Sequence, residues 1–437
     1  METVIGVILL ITFFGFIFYA FKGGNLLLGL FTMAVLWSAL GAISGKVDWA
    51  TINNNVFQGG PEGFGPTAVN IIFGSWFGRV LIETGIARTI IRKAVELGGD
   101  KPALTCVLLC IVTTAIFTTA YGAGAVVAIG VIVFPIMLSL GISKPLATGS
   151  FSMSVGCGLY LNNALLTQAA GTMVIDGVDQ YVPADNGWFK FAFIALAVHL
   201  LFVIAMVIIG VGREKKSRAW AAGDAGINLG SEKNANLLAC LTPIIPVSIA
   251  IAFKFSSIVS IILAVIWALA WTGNLKGWGK IGAVVEKTFY EGVADVGLVL
   301  GFLLFLQMFV RAAGACKDLL APLVAPILPE NTLFLFIIFG VLGFLALFRG
   351  PMTIWGAGSA TFAIVAATGT LPLAVLYPLF YIPCCTITTS VCPTQSWNLW
   401  AIGYNQISVK DFLKQVLVFA LPLCLILEVI AYFIFAA

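Results

Sequence analysis

Residues 145–168 read PLATGSFSMSVGCGLYLNNALLTQ, and residues 372–395 read PLAVLYPLFYIPCCTITTSVCPTQ. Each opens on Pro-Leu-Ala, closes on Thr-Gln at the same distance, and interrupts a long apolar run with Gly, Asn, Ser, Thr or Pro. Working outward, Gly141 answers to Gly369, Gly122 to Gly350, Gly85 to Gly314, Trp49 to Trp278 and Trp37 to Trp267. The offset drifts in single steps from 230 at Trp37 to 227 at Thr167 and its counterpart Thr394. Chance identities would scatter in offset, whereas a one-way drift is what short deletions after a duplication leave. The chain reads as one unit written twice.

Composition places both copies in lipid. Sixty per cent of the 437 residues are apolar and 10% are charged, and apolar runs long enough to span a bilayer recur from end to end, which no soluble core of this size needs. The reading is an all-α polytopic membrane protein. Its first run, Val4 to Ala20, follows Glu2, and the first basic residue, Lys22, comes after it; that order suits a spanning helix and not a cleaved leader. The nine cysteines lie mostly in apolar stretches without metal-ligand spacing and read as small packing residues. No phosphate-binding or dinucleotide-binding glycine motif and no helical zinc motif occurs. A lone histidine with scattered cysteines gives no catalytic cluster, so the expectation is a non-enzyme with no cofactor, no bound metal and no nucleic-acid partner.

Each half repeats one order of segments: three runs, a fourth and a fifth interrupted by polar residues and glycine, then an uninterrupted sixth. The first unit (1–211) holds runs at 3–21, 25–44, 66–86, 103–140, 145–174 and 188–211. The second unit (235–437) holds 235–252, 255–272, 293–312, 332–368, 372–402 and 412–436. Between them, 212–234 carries Arg213, Lys215, Lys216, Arg218 and Lys233 and reads as a polar linker. Residues 87–101 hold Arg88, Arg92, Lys93 and Lys101 against Glu96 and Asp100, whereas 175–187 holds Asp176, Asp179 and Asp185 without a basic residue. The positive-inside bias makes these segments cytoplasmic and external, and the linker cytoplasmic. Run 103–140 must then enter and leave on the cytoplasmic side, as a re-entrant hairpin. Each unit crosses five times, and an odd number inverts the second unit. Hairpin 332–368 then enters from outside, 372–402 is the second broken helix, and both termini are external in the cell membrane.

Backbone that leaves the helical pattern inside a bilayer is tolerated only where protein or a water-filled cavity satisfies it, so the four interruptions are expected to converge. They offer Thr118, Thr119, Tyr121, Gly122 and Gly124 at the first hairpin tip, and Asn162, Asn163, Thr167 and Gln168 in the first broken helix. The second unit offers Arg349, Gly350, Thr353 and Ser359 in the hairpin, and Thr389, Ser390, Thr394, Gln395 and Ser396 in the broken helix. Half-helix N-termini there suit an anion, and freed carbonyls and hydroxyls suit a cation; small residues also simply let helices pack closely. Arg349 is the sharpest of these. A charge in a spanning segment costs about 2.5–3.5 kcal/mol unless it finds a cavity or a partner, and no Asp or Glu occurs between Asn331 and Lys410 or between Pro102 and Ile175. A substrate carboxylate on the guanidinium fork is one answer; capping of hairpin carbonyls and an acid on another helix are the others. Arg79 and Glu83 have the spacing of an intrahelical pair, with Glu83 also a candidate proton carrier. Asp295, one turn after Glu291, reads as an interfacial residue or a proton site. His199 reads as a relay or as a hydrogen-bonding partner of a neighbouring helix.

The layout of three helices, a hairpin, a broken helix and a last helix, inverted and repeated, resembles the ion transporter superfamily of secondary carriers. Within it, Gly74-Ser75-Trp76-Phe77-Gly78-Arg79-Val80-Leu81-Ile82-Glu83-Thr84-Gly85-Ile86-Ala87 looks like the third-helix pattern of gluconate-type and citrate-type permeases. Phe134-Pro135-Ile136-Met137 with Gly141-Ile142 resembles their second hairpin arm, and Gly358-Ser359-Ala360-Thr361 after Arg349 resembles a stretch of the gluconate permeases. Those permeases carry an acid in the first hairpin, where this chain has Tyr121. The resemblance implies symport of a small organic anion, a carboxylate such as gluconate or citrate, with H⁺ or Na⁺ by alternating access. It also implies a homodimer as the common assembly. A Na⁺/H⁺ antiporter of the same superfamily is the alternative, although it would more naturally place paired acids in the membrane.

Overall fold

The computed structural model describes residues 2–22, 24–99, 101–175, 181–213, 235–329 and 331–437. Every regular element among them is helical. The first unit comprises α1 (Glu2–Phe21), α2 (Leu26–Ile43), a π-helical stretch (Thr51–Gln58) leading into α3 (Gly59–Gly63) and α4 (Gly65–Glu83), then α5 (Ile86–Gly98). Its hairpin is α6 (Pro102–Phe117) and α7 (Ala123–Ser139), its broken helix α8 (Lys144–Gly158) and α9 (Asn163–Thr172), and its last helix α10 (Trp188–Arg213). The second unit opens with a 3₁₀ turn (Leu237–Ile244) and α11 (Ile245–Phe253), then α12 (Ser257–Trp271), α13 (Trp278–Ala315) and α14 (Lys317–Val324). Its hairpin is α15 (Thr332–Val341), a 3₁₀ stretch (Leu342–Arg349) and α16 (Gly358–Ala367). Its broken helix is α17 (Leu373–Pro383), a π turn (Cys384–Thr389) and α18 (Ser396–Tyr404), and α19 (Val409–Phe435) closes the chain. Among the described residues six helical stretches are long and apolar enough to cross a membrane, one of them Thr332–Arg349 in the second hairpin. The chain is an all-α polytopic membrane protein.

The breaks fall where residue chemistry puts them. Side-chain oxygens of Asn25, Asn162, Ser256, Asn331 and Ser408 cap the N-termini of α2, α9, α12, α15 and α19, satisfying backbone donors that lipid could not. Gly141 and Gly369, equivalent in the repeat, end the second hairpin arms with φ of +74° and +65°, left-handed turns that glycine enters without strain.

Equivalent helices of the two units lie antiparallel against each other. Along the broken helices, Tyr377 Oη donates to the Leu166 carbonyl (3.1 Å) and Tyr381 Oη to that of Leu159 (2.9 Å), while Ser390 meets Gly156. Along α3 and α4 against α13, Gly60 meets Gln307, Trp76 meets Gly292, and Lys287 Nζ binds Glu83 at 2.8 Å. In both pairs one number rises as the other falls, the relation that oppositely facing copies of one unit produce. Trp49 and Trp278 are 76% and 87% exposed, as interfacial anchors of each copy would be. The expected linker 212–234 is helical through Arg213; its residues from 214 on lie outside the described residues, as do Asp100, Asp176, Asp179 and Glu330.

Candidate functional site

The two hairpin tips and the two broken helices face one cavity of about 300 Å³. Of the residues expected there, it gathers Tyr121 and Gly122 from the first tip, Gln168 from α9, Arg349 from the second hairpin, and Thr389, Gln395 and Ser396 from the second broken helix. Trp355, Trp397 and Asp295 join them, with Leu26, Leu165, Leu298, Val299 and Phe302 as apolar wall. Neither tryptophan carried a distinguishing signal, because an indole in an apolar run looks like core.

Local chemistry aims these groups. Gly122 has φ +104°, a conformation open to glycine that turns the chain into α7. Neither α7 nor α18 has a side-chain cap, so first-turn N–H groups of both helices border the cavity with their positive dipole ends. Tyr121 Oη donates to Gln168 Oε1 at 2.6 Å, tying tip to broken helix.

The second hairpin is more strained. Phe348 and Arg349 take φ of +53° and +63°, left-handed conformations that cost non-glycine residues about 1–3 kcal/mol each. Surrounding bonds hold the turn: Phe348 N–H donates to Cys392 Sγ (3.2 Å), Ile354 N–H to Cys384 Sγ (3.4 Å), and Ala357 N–H to the Arg349 carbonyl (2.9 Å). Cys384 and Cys392, expected as packing residues, thus also accept hydrogen bonds that dock hairpin on broken helix. The Arg349 guanidinium is left with one hydrogen bond, to the Trp355 carbonyl at 3.3 Å, and no acidic partner among the described residues. The buried Trp355 Nε1 and Gln395 Oε1 also lack partners.

Other expected residues lie off this cavity and serve structure. Asn162 Nδ2 donates to the carbonyls of Phe117 and Ala120, closing the first tip. Thr118, Thr119 and Asn163 border a separate pocket of about 30 Å³. Thr167, Ser359 and Ser390 turn back onto carbonyls of their own segments, and Thr394 bonds Cys392 Sγ. Thr353 meets Cys384, and Gly350 N–H closes on the Leu347 carbonyl. Gly124 lets the first tip press on α13, since a Cβ there would overlap the Asp295 carboxylate and the Arg79 guanidinium.

The charged candidates pair differently from the expectation. Arg79 and Glu83 form no pair with each other. Arg79 Nε and Nη2 grip Asp295 Oδ2 and Oδ1, both at 2.6 Å, and Nη1 reaches Glu291 at 3.2 Å, while Glu83 binds Lys287. The antiparallel packing of α13 on α4 brings acids from 200 residues away into better geometry than the helix itself offers. Asp295 is accordingly no edge residue: it stands near the middle of α13, its side chain 11% exposed, in the cavity wall. His199 is wholly buried, Nδ1 lying 3.2 Å from Tyr160 Oη and Nε2 unpartnered. Glu428, on α19, is a residue that spacing and motif did not single out; it is wholly buried, and neither carboxyl oxygen has a partner among the described residues. Its signal was available, as a lone acid in the uninterrupted run 412–436.

No protein-family model matches the chain, and none of the curated proteins matches it in sequence. Among solved structures it is similar to the YdaH transporter of Alcanivorax borkumensis, whose crystal structure reveals an unusual topology. The match has a TM-score of 0.63 at 15% identity and covers 94% of this chain and 99% of that one. The chain thus shares its fold with that protein.

Proposed function

We propose that the chain is a secondary active carrier that takes up a small organic anion, a carboxylate of gluconate or citrate type, in symport with H⁺ or Na⁺ by alternating access. The observation that carries this is Arg349: a guanidinium on a central cavity, without an acidic partner among the described residues, flanked by two uncapped helix N-termini. A carboxylate would meet the planar fork and the dipole ends together. The alternative, Na⁺/H⁺ exchange, needs an acid free to trade ions, and the acid on the cavity wall, Asp295, is gripped by Arg79. In this reading the chain lies in the cell membrane with both termini external, five crossings per unit, and works as a homodimer.

The test is uptake of labelled gluconate, citrate, lactate and dicarboxylates into proteoliposomes under imposed Na⁺ or pH gradients. Wild-type protein should accumulate one of these classes. Arg349→Ala should abolish that uptake, and Arg349→Lys should weaken it, because a point charge replaces a bidentate fork. Unchanged uptake by Arg349→Ala removes the arginine from the site.

A further inference from the structure

We propose that Glu428 carries the coupling proton, so that the cation moved with the anion is H⁺; this rests on the carrier reading above. Glu428 sits in α19, a 27-residue helix whose other acid, Asp411, is at its start. It has no exposed surface, and neither carboxyl oxygen has a hydrogen bond or ion pair among the described residues. An ionised carboxylate so placed loses its hydration without compensation, whereas the neutral acid is tolerated. The carboxyl must therefore hold a proton, or a cation in its place.

The neighbours decide between the two. Helix α19 packs against α8, α10, α15, α17, the 384–389 turn and the 342–349 stretch. Their titratable and charged groups are Lys144 and Cys157 on α8, Lys190, His199 and Arg213 on α10, and none on α15. Tyr377 and Tyr381 lie on α17, Cys384 and Cys385 on the turn, and Arg349 at the end of the 3₁₀ stretch, with Lys410, Lys414, Cys424 and Tyr432 on α19 itself. Cys384, Cys424 and Tyr160, which follows α8, feel the Glu428 carboxyl electrostatically; all are neutral groups, and His199 Nδ1 lies 3.2 Å from Tyr160 Oη. No group of three His, Cys, Asp or Glu that could hold a metal ion occurs among the described residues. Among the described residues there is thus no anionic cluster for a divalent ion, and a carboxyl in neutral surroundings with no hydrogen-bonding oxygen beside it suits a bound proton.

Position links this proton to transport. Tyr160 belongs to the break of the first broken helix and Cys384 opens the turn of the second, and the same two helices present Gln168 and Thr389 to the cavity. A rearrangement that exposes the cavity to the other face must shift the helices against which Glu428 is sealed. Water reaching the carboxyl would then favour ionisation and release the proton. Asp295 is less suited, since protonation there must first displace Arg79.

Two measurements test this. In the first, infrared spectra are recorded at neutral pH for wild-type protein and Glu428→Gln, which has the shape of the neutral acid. Wild type should show the carbonyl stretch of a protonated carboxyl, and the variant should lose it; a wild type without that band, or a band unchanged in the variant, overturns the proposal. The second uses whichever of gluconate, citrate, lactate or succinate the wild type carries. Glu428→Gln should lose accumulation driven by a pH gradient and keep anion-for-anion exchange across the same liposomes. Retained pH-driven accumulation, or drive by Na⁺ alone in wild type, also overturns it. A wild type that exchanges none of these anions refutes the carrier reading instead, and the infrared result still decides the state of Glu428.

Discussion

The Arg79–Asp295 pair shows how one contact between the units organises the first hairpin tip. Two bonds of 2.6 Å make it bidentate, and Gly124 is the residue that lets the tip lie on it. Deleting one partner leaves the other charge uncompensated, while replacing both removes the debt. Arg79 is about a quarter exposed and keeps Glu291, so Asp295→Ala should cost about 2–3 kcal/mol, below the range for a fully buried pair. The double variant Arg79→Leu, Asp295→Leu should recover part of that loss in thermal unfolding of the purified protein; equal or greater loss in the double variant would mean that the pair does not act as a unit. Sequence revealed both residues but mispaired them, because spacing reports neighbours along a helix and says nothing of what packs across it. Arg349 was legible for the opposite reason, since a charge in an apolar run is anomalous whatever surrounds it. Glu428 carries the same anomaly, as the lone acid of the apolar run 412–436, and like Glu83 and Asp295 it is an acid inside a spanning run.

At the scale of elements, the crossing of the two broken helices is a close contact between units. A Cβ on Gly156 would overlap Ser390 Oγ, with the Ser390 Cα 3.1 Å away, so even alanine must push the helices apart. Gly156→Ala should destabilise the protein by about 1–3 kcal/mol through overpacking and lower transport with it. Ser390→Gly in the same chain should return much of the thermal stability, because it removes the side chain that collides; no recovery would place the strain elsewhere. The breaks themselves were readable from Gly, Asn and Pro within apolar runs. Two details of their neighbours were not. The left-handed pair Phe348 and Arg349 has no glycine to announce it, and its turn is held by sulfur acceptors 30 and 44 residues from their donors. The run at 235–252 opens as a 3₁₀ turn containing Pro243, where hydrophobicity alone suggests one continuous helix.

Across the whole molecule, the repeat in sequence and the antiparallel contacts between equivalent helices lead to a consequence about sidedness. Lys46 lies just past α2, at the end of the molecule where Cys316 Sγ contacts the Trp37 carbonyl and α13 finishes. Lys276 precedes the start of the same α13, and 38 helical residues separate the two ends by about 57 Å at 1.5 Å per residue. A helix of that length, even strongly tilted, carries its ends to opposite faces of a bilayer about 30 Å thick. Lys46→Cys should therefore react with a membrane-impermeant maleimide from one side and Lys276→Cys only from the other, with the positive-inside bias assigning Lys276 and Lys280 to the cytoplasm. Both lysines are exposed. Among native cysteines only Cys240 is partly accessible, so Cys240→Ser gives a quiet background without disturbing Cys384 and Cys392. Labelling of both positions from the same face would break the inverted arrangement, and with it the argument that two opposed hairpins close one cavity from either side.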